Sequence, residues 1–258
     1  MPSIRTMIIP AAGYGTRMQG LTGQSSKEII DVCGRPALMY ALGEALEAGL
    51  ERVGIVIRPE KSDILEMVRD DIRMAPIRSR IEIQFFYQEA PTGEAGAIQT
   101  AEAWIGDAPF AVHYPDNIIV ESPGTLARLI ARRRAIGSDL VLLTSYREHV
   151  QAAPCGLDAL GDGVFRLTPD KQPEAFPYGL RPTGIYIASR RFLSACRRLL
   201  AAHPSVEVKD RDVRGLLAGQ GHPIHAADLA ADVIDIGNPD GYRAGIAFLE
   251  ARRQRHAR

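Results

Sequence analysis

A run of small residues, Ala11-Ala12-Gly13-Tyr14-Gly15-Thr16, leads into Arg17, and Lys27 follows ten residues later. Small residues let a backbone approach a bulky anion, so that successive N–H groups can point at phosphate oxygens. Arg17 and Lys27 add fixed positive charge beside the same loop. The apolar stretch before it, Thr6 to Ile9, has the composition of a short buried strand. Together these features point to a nucleoside triphosphate site at the start of an α/β domain, although a plain strand–helix turn would use the same glycines. Two other phosphate loops do not fit. Gly15-Thr16-Arg17 stands where a P-loop needs Gly-Lys-Ser/Thr, and Met18 occupies the third glycine position of a dinucleotide fingerprint.

Further candidates follow other strand-like segments. The Gln88 amide offers a donor and an acceptor, which suits the N3–O4 edge of uracil or thymine, and Gly93 in the small-residue loop after it can present backbone groups to a base or ribose. Asp116 in Tyr114-Pro115-Asp116-Asn117 and Asp235 before Ile236-Gly237-Asn238 each sit just past an apolar run. Singly, each aspartate reads as a turn cap. With a triphosphate loop, two strand-end carboxylates imply a bound Mg²⁺ that holds phosphate oxygens.

Alternating elements must position these groups. Strands are expected over Thr6–Ile9, Val53–Ile57, Ile81–Tyr87, Phe110–His113 and Leu140–Thr144. Helices are expected from Pro36 to Gly49, from Pro59 through Val68, and over Gly96–Ala103 and Leu126–Ala135. This alternation predicts an α/β fold with a mostly parallel sheet covered on both faces. The second half changes character. It holds a hairpin turning at Gly161-Asp162-Gly163, a strand over Thr183–Ile187, a helix over Phe192–Leu200, short strands at Ile224–Ala227 and Ala231–Asp235, and a helix over Gly241–Arg252. One domain is read over 1–258, with a nucleotide-binding half to about residue 150 and, over 151–258, a mixed half with a C-terminal helix that could hold a second substrate.

The 31 basic and 31 acidic residues balance, so no global field draws the chain to nucleic acid or anionic membrane. Three scattered cysteines give neither a disulfide framework nor metal-ligand spacing. His222 and His225 flank Pro223 and read as surface histidines. No signal peptide or membrane-length apolar run is present, which places the expectation in the cytoplasm.

The ordered set Gly13-x-Gly15-Thr16-Arg17, Lys27, Gly34-Arg35-Pro36, Gln88, Gly93, Pro115-Asp116, Asp170-Lys171, Thr183-Gly184 and Asp235 resembles the sugar-1-phosphate nucleotidyltransferase family along essentially the whole chain. Lys27-Glu28, the Glu207 to Asp212 spacing and Asp235-x-Gly237-Asn238-x-x-Gly241-Tyr242 are similar to the bacterial UTP–glucose-1-phosphate uridylyltransferases. The Gly93 loop is more similar to the thymidylyltransferase branch or to archaeal-type relatives. Asp170-Lys171-Gln172 stands where that family has Glu-Lys-Pro, Cys155-Gly156 where it has Tyr-Gly, and its prolines between Arg17 and Lys27 are absent.

The resemblance implies a Rossmann-like, mostly parallel mixed sheet flanked by helices with a β-rich sugar-binding insertion. It implies in-line attack of a sugar 1-phosphate on the α-phosphorus of UTP, with Arg17 assisting the leaving pyrophosphate and Lys27 the α-phosphoryl oxygens. Ala11, Ala12, Gly13, Gly15, Thr16, Gln88 and Gly93 would bind the nucleotide. Asp116 and Asp235 would hold Mg²⁺, and Gly156, Asp170, Lys171 and Gly184 would bind the sugar phosphate. Glucose 1-phosphate is favoured. Alternatives are dTTP or CTP with another sugar or small phosphate, and a non-catalytic nucleotide-sugar-binding regulator. The family's frequent dimers and tetramers leave a homo-oligomer open.

Overall fold

A computed structural model describes residues 3–120, 124–146, 156–168 and 180–256. In chain order the strands are β1 (Thr6–Pro10), β2 (Asp31–Val32), β3 (Arg35–Pro36), β4 (Arg52–Ile57), β5 (Glu82–Tyr87), β6 (Phe110–His113) and β7 (Asn117–Val120). They continue with β8 (Val141–Tyr146), β9 (Gly156–Gly161), β10 (Val164–Thr168), β11 (Leu180–Ala188), β12 (Ile224–Asp228) and β13 (Asp232–Asp235). The helices are α1 (Gln19–Thr22), α2 (Ala37–Glu47), α3 (Ser62–Asp70), α4 (Ala75–Arg78), α5 (Gly93–Thr100), α6 (Glu102–Ile105), α7 (Thr125–Ile136), α8 (Arg190–Ala202), α9 (Asp210–Gly219) and α10 (Pro239–His256).

Nine strands form one sheet in the order β5-β4-β1-β6-β11-β8-β12-β10-β9. β5, β4, β1 and β6 pair in parallel; β11 runs antiparallel to both β6 and β8, β12 is parallel to β8, and β10 is antiparallel to β12 and β9. All but β10 and β11 therefore point the same way, as the α/β pattern predicts.

Alternate strand residues face opposite layers. Met7 and Ile9 of β1 join a core with Leu38 and Leu42 of α2 and Leu129 of α7, whereas Ile8 joins a second core with Ile98 of α5 and Phe192 of α8. Burial on both faces explains why these strands read as unbroken apolar runs. A third, smaller core gathers Ile118 and Val120 of β7, Ile236 just after β13, and Leu249 of α10. β7 pairs with β13 alone, apart from the main sheet.

Most element boundaries agree with the sequence pattern, and the differences have local causes. The helix expected from Pro59 begins at Ser62, because Lys61 N–H turns back to Arg58 O at 3.0 Å. The helix expected over Gly96–Ala103 starts at Gly93 and breaks at Ala101, where α6 takes over. β12 and β13, adjacent in sequence, enter different sheets. His225 is not a surface residue: it is 9% exposed on β12, and its Nδ1 lies 2.8 Å from Ser138 Oγ. Among the described residues no helix is long and apolar enough to cross a membrane.

Glu44 and Glu47 of α2 cap the start of α7, accepting from Leu126 N at 3.0 Å and Gly124 N at 2.9 Å. Burial pushes the Glu44 carboxyl up to about 7, against the opposing pull of the Leu126 N–H. The folded protein thus holds this proton more tightly than the unfolded chain, and the stability it contributes is lost as pH rises from 4.5 through 7. Glu44→Gln should therefore gain melting temperature relative to the parent between pH 4.5 and 7 and keep a constant advantage above. Thermal scans showing a pH-independent difference would contradict this.

Candidate active site

The chain leaves β1 toward β4 on one side and β6 on the other, so loops at the carboxyl ends of these strands open a crevice. β1 is buried throughout, and Ala11 N–H extends its pairing by donating to Val56 O at 2.7 Å. Beyond Ala12 the backbone emerges. Nothing lies within 4 Å of a Cβ placed on Gly13. Gly15 has φ of +66°, a left-handed turn that favours glycine, and it starts the short turn Thr16–Met18. Met18 is fully buried and anchors this turn, while Arg17 stands exposed with no hydrogen bond or ion pair among the described residues.

Opposite the loop, Lys27 Nζ donates to Asp116 Oδ2 at 2.6 Å. Burial opposes both charges, but each group's neighbour more than offsets it. The Lys27 pKa lies above its ordinary value and the Asp116 pKa below. Asn117 fixes the other Asp116 oxygen, with Nδ2 to Oδ1 at 2.9 Å, and accepts the Gly184 N–H on its own oxygen at 3.0 Å. The β7–β13 ribbon sets Asp235 opposite Asn117, and Ile236 N–H donates to Asp116 O at 2.9 Å.

This ribbon brings the two aspartates together. A Cβ on Gly237 would lie 2.9 Å from Asp116 Oδ2 and 3.1 Å from Asp235 Oδ1, so both carboxylates converge on a point that glycine leaves open. Hard oxygen donors around an open point suit Mg²⁺, which binds through one or two carboxylates and takes its remaining ligands from water and phosphate. No group of three or more His, Cys, Asp or Glu ligands occurs among the described residues, so a cation here depends on such outside oxygens.

Gln88, 9% exposed, follows β5 and donates through Nε2 to Thr92 Oγ1 at 2.9 Å and Gly93 O at 3.0 Å. The carbonyl of Gly93 can only accept, which fixes the amide orientation and leaves Oε1 as the group that can meet a ligand. Gly93 has φ of +81°, and a Cβ there would lie 2.6 Å from Val208 O. Backbone bonds Val208 N to Thr92 O and Ala95 N to Val208 O, both 3.0 Å, lock the 207–209 segment against this loop.

A cavity of about 400 Å³ joins these parts, lined by Gly13, Arg17, Lys27, Gln88, Gly93 and Asp116 among others. Ala12, Gly15 and Thr16 also line it, whereas Ala11, Gly184 and Asp235 are not among its lining residues. Gly184 N–H is taken by Asn117 Oδ1, and Gly184 O accepts from Tyr114 N at 3.0 Å. Gly156 begins the edge strand β9. Asp170 and Lys171 lie outside the described residues.

Other lining residues, Glu94, Tyr114 and Lys209 among them, were not expected as site residues. Tyr114 and Tyr186 both donate to Asp210 Oδ2, at 2.9 and 2.6 Å, and Asp210 N–H donates to Glu94 Oε2 at 2.9 Å. Burial raises the Asp210 carboxyl against the pull of Arg214, and burial with the nearby Asp210 charge raises Glu94. The signal for this network was the adjacency of Glu94 to Gly93 and of Tyr114 to Pro115-Asp116. Its closing member, Asp210, comes from a distant helix start, inside the Glu207 to Asp212 spacing but not itself one of the spaced residues.

A family model described as nucleotidyl transferase matches residues 6–156. The chain is 28% identical to the UTP–glucose-1-phosphate uridylyltransferase YngB of Bacillus subtilis (strain 168), an alignment covering 92% of this chain and 86% of that protein. It is 31% identical to a UTP–glucose-1-phosphate uridylyltransferase of Pseudomonas aeruginosa, covering 71% and 74% respectively. A crystal structure of UDP-glucose pyrophosphorylase complexed with UDP-glucose shares the fold with a TM-score of 0.80, covering 97% of this chain and 100% of that one at 24% identity.

Gly237→Ala places a methyl group between the two carboxylates. It should keep the circular dichroism spectrum of the parent and weaken Mn²⁺ binding, followed by electron paramagnetic resonance, by about tenfold or more. Unchanged Mn²⁺ affinity would show that the carboxylates do not share a cation.

Proposed function

This chain belongs to the nucleotidyl transferase family, and from that premise we propose that it condenses UTP with glucose 1-phosphate to give UDP-glucose and pyrophosphate. The observation that carries the reading is the meeting of Lys27 and Asp116 beside the Gly13–Arg17 loop, in one crevice with Gln88, with Asp235 converging on Asp116 at Gly237. The relatives named above as UTP–glucose-1-phosphate uridylyltransferases support the choice of both substrates.

Two anions must meet in this reaction, so the barrier is electrostatic and positional. An oxygen of the sugar phosphate attacks the α-phosphorus of UTP. The bond from that phosphorus to the β-bridging oxygen breaks, and pyrophosphate departs with the electron pair. Arg17, exposed at the loop, is assigned to the β- and γ-phosphates. Lys27 is assigned to the charge on the α-phosphoryl oxygens. The phosphate monoester is already an anionic nucleophile near neutral pH, so no general base is needed. Mg²⁺ held by Asp116 and Asp235 would neutralise phosphate charge. Lys27 already occupies Asp116 Oδ2, so ammonium and metal compete for one oxygen. Asp170 and Lys171 are assigned to the sugar ring and its phosphate. The reaction draws on the cytoplasmic pool of nucleoside triphosphate, and we place the protein there.

The fixed orientation of Gln88 favours a base carrying an N3–H donor. Uracil and thymine have one, whereas cytosine presents a lone pair there and would face Oε1 with an acceptor. A nucleotide panel with glucose 1-phosphate and Mg²⁺, read by pyrophosphate release, should show CTP at least about a hundredfold below UTP in kcat/KM. A preference for CTP would overturn the base assignment, and one for dTTP would move the protein to the thymidylyl branch. Tight UDP-glucose binding with no pyrophosphate release would favour a non-catalytic regulator.

Lys171→Ala should raise the KM for the sugar phosphate by about tenfold or more with a smaller effect on kcat. An unchanged KM in steady-state kinetics would remove Lys171 from the sugar-phosphate site.

A further inference from the structure

Behind Lys27 lies a second, more deeply buried ion pair. Lys61, 9% exposed, sits in the connection between β4 and α3, and its Nζ donates to Glu28 Oε2 at 2.7 Å and to Ala11 O at 2.8 Å. Glu28 is 2% exposed and immediately follows Lys27. Ala11 is the first residue after β1 and leads directly into the small-residue loop. One ammonium therefore ties the root of that loop to the short turn Lys27–Ile29.

The same connection grips the other flank of Lys27. Asp63 accepts from Ser26 N–H and Ser26 Oγ–H, both at 2.7 Å. Ser26 and Glu28 are thus each held by side chains two residues apart at the start of α3. The aliphatic stem of Lys27 lies 3.5 Å from a Cβ placed on Gly15, so the lysine stem runs beside the space that glycine leaves in the loop. Small shifts at either root would be passed straight to the Lys27 ammonium. Burial pushes the Glu28 carboxyl up and the Lys61 ammonium down, and each is opposed by the charge of the other. A buried pair of this kind contributes little net stability compared with well-packed neutral residues, which leaves positioning as its distinctive effect.

We propose that Lys61 and Asp63 form a clamp of positioning residues that sets the triphosphate loop and Lys27 at one fixed separation for nucleotidyl transfer. The claim rests on the reading of this crevice as a nucleotidyltransferase site. The clamp touches no reacting atom. Its contribution is preorganisation: it removes the conformational search that Lys27 and the loop would otherwise make around the triphosphate.

Lys61→Met, Lys61→Met/Glu28→Gln and Asp63→Ala separate positioning from stability. Lys61→Met strands a buried carboxylate and should lower both the melting temperature and the activity. The double variant removes both charges and should regain most of the melting temperature. Under the proposal it still loses about tenfold or more in kcat and raises the nucleotide KM, while the sugar-phosphate KM stays within about twofold. Asp63→Ala should show the same split and serves if the double variant does not fold. Recovery of kcat together with melting temperature, or normal kinetics in Asp63→Ala, would overturn the clamp. UTP affinity by calorimetry keeps the two readings apart. If the parent binds UTP but releases no pyrophosphate, the enzymatic reading fails. The clamp is then judged on UTP affinity, which must weaken at least about fivefold in a variant that retains its melting temperature, and an unchanged affinity would overturn it.

Discussion

The ion pair between Lys27 and Asp116 is the constraint around which the crevice is organised. Its two members come from opposite walls, one from a short turn after the glycine loop and one from the end of β6. Both are largely withdrawn from water, with side-chain exposures of 18% and 20%. Removing one partner of a buried pair costs about 3–5 kcal/mol, because the other charge is left uncompensated. Asp116 therefore needs a cation at all times, and the structure supplies one from the protein itself. A site built this way keeps its buried carboxylate compensated without any ligand.

Charges alternate across this floor: Lys61, Glu28, Lys27 and Asp116 follow one another, and Glu28 adds to the attraction that holds Lys27 charged. The rest of the fold keeps these groups in place. Two apolar layers clamp the central strands from both faces, so the loops at their carboxyl ends spring from rigid roots. The β7–β13 ribbon, held by its own small core, carries Asp235 across to Asp116.

Local chemistry was legible in the sequence wherever it stayed close to one motif. The strand before Ala11, the left-handed Gly15 and the cations after it are features of contiguous residues, and the alternation of strands and helices follows from burial on both sheet faces. The order of β11, β8, β12 and β10 in the sheet was not legible, because antiparallel insertion is decided by distant pairings rather than by composition. The meeting of Asp116 with Asp235 was expected from the triphosphate loop and the family resemblance, since each alone reads as a turn cap, and the pairing of β7 with β13 is what brings it about. Lys61 escaped notice because a lysine beside Pro59-Glu60 looks like a solvated loop residue, and only the fold turns it inward. Asp210 sits between the spaced Glu207 and Asp212 without being one of them, and its partners Tyr114, Tyr186 and Glu94 come from three separate segments.

Asp116 pairs with the Lys27 ammonium, and a divalent metal held by Asp116 and Asp235 would compete with that ammonium for the carboxylate. Mn²⁺ binding to the nucleotide-free protein tests this most directly when the parent and Lys27→Met are compared. Removing the competing ammonium should tighten Mn²⁺ binding by several-fold even as turnover is lost, because the metal then meets an uncompensated carboxylate. Weaker or unchanged Mn²⁺ affinity in Lys27→Met, in a variant shown to be folded, would contradict the account.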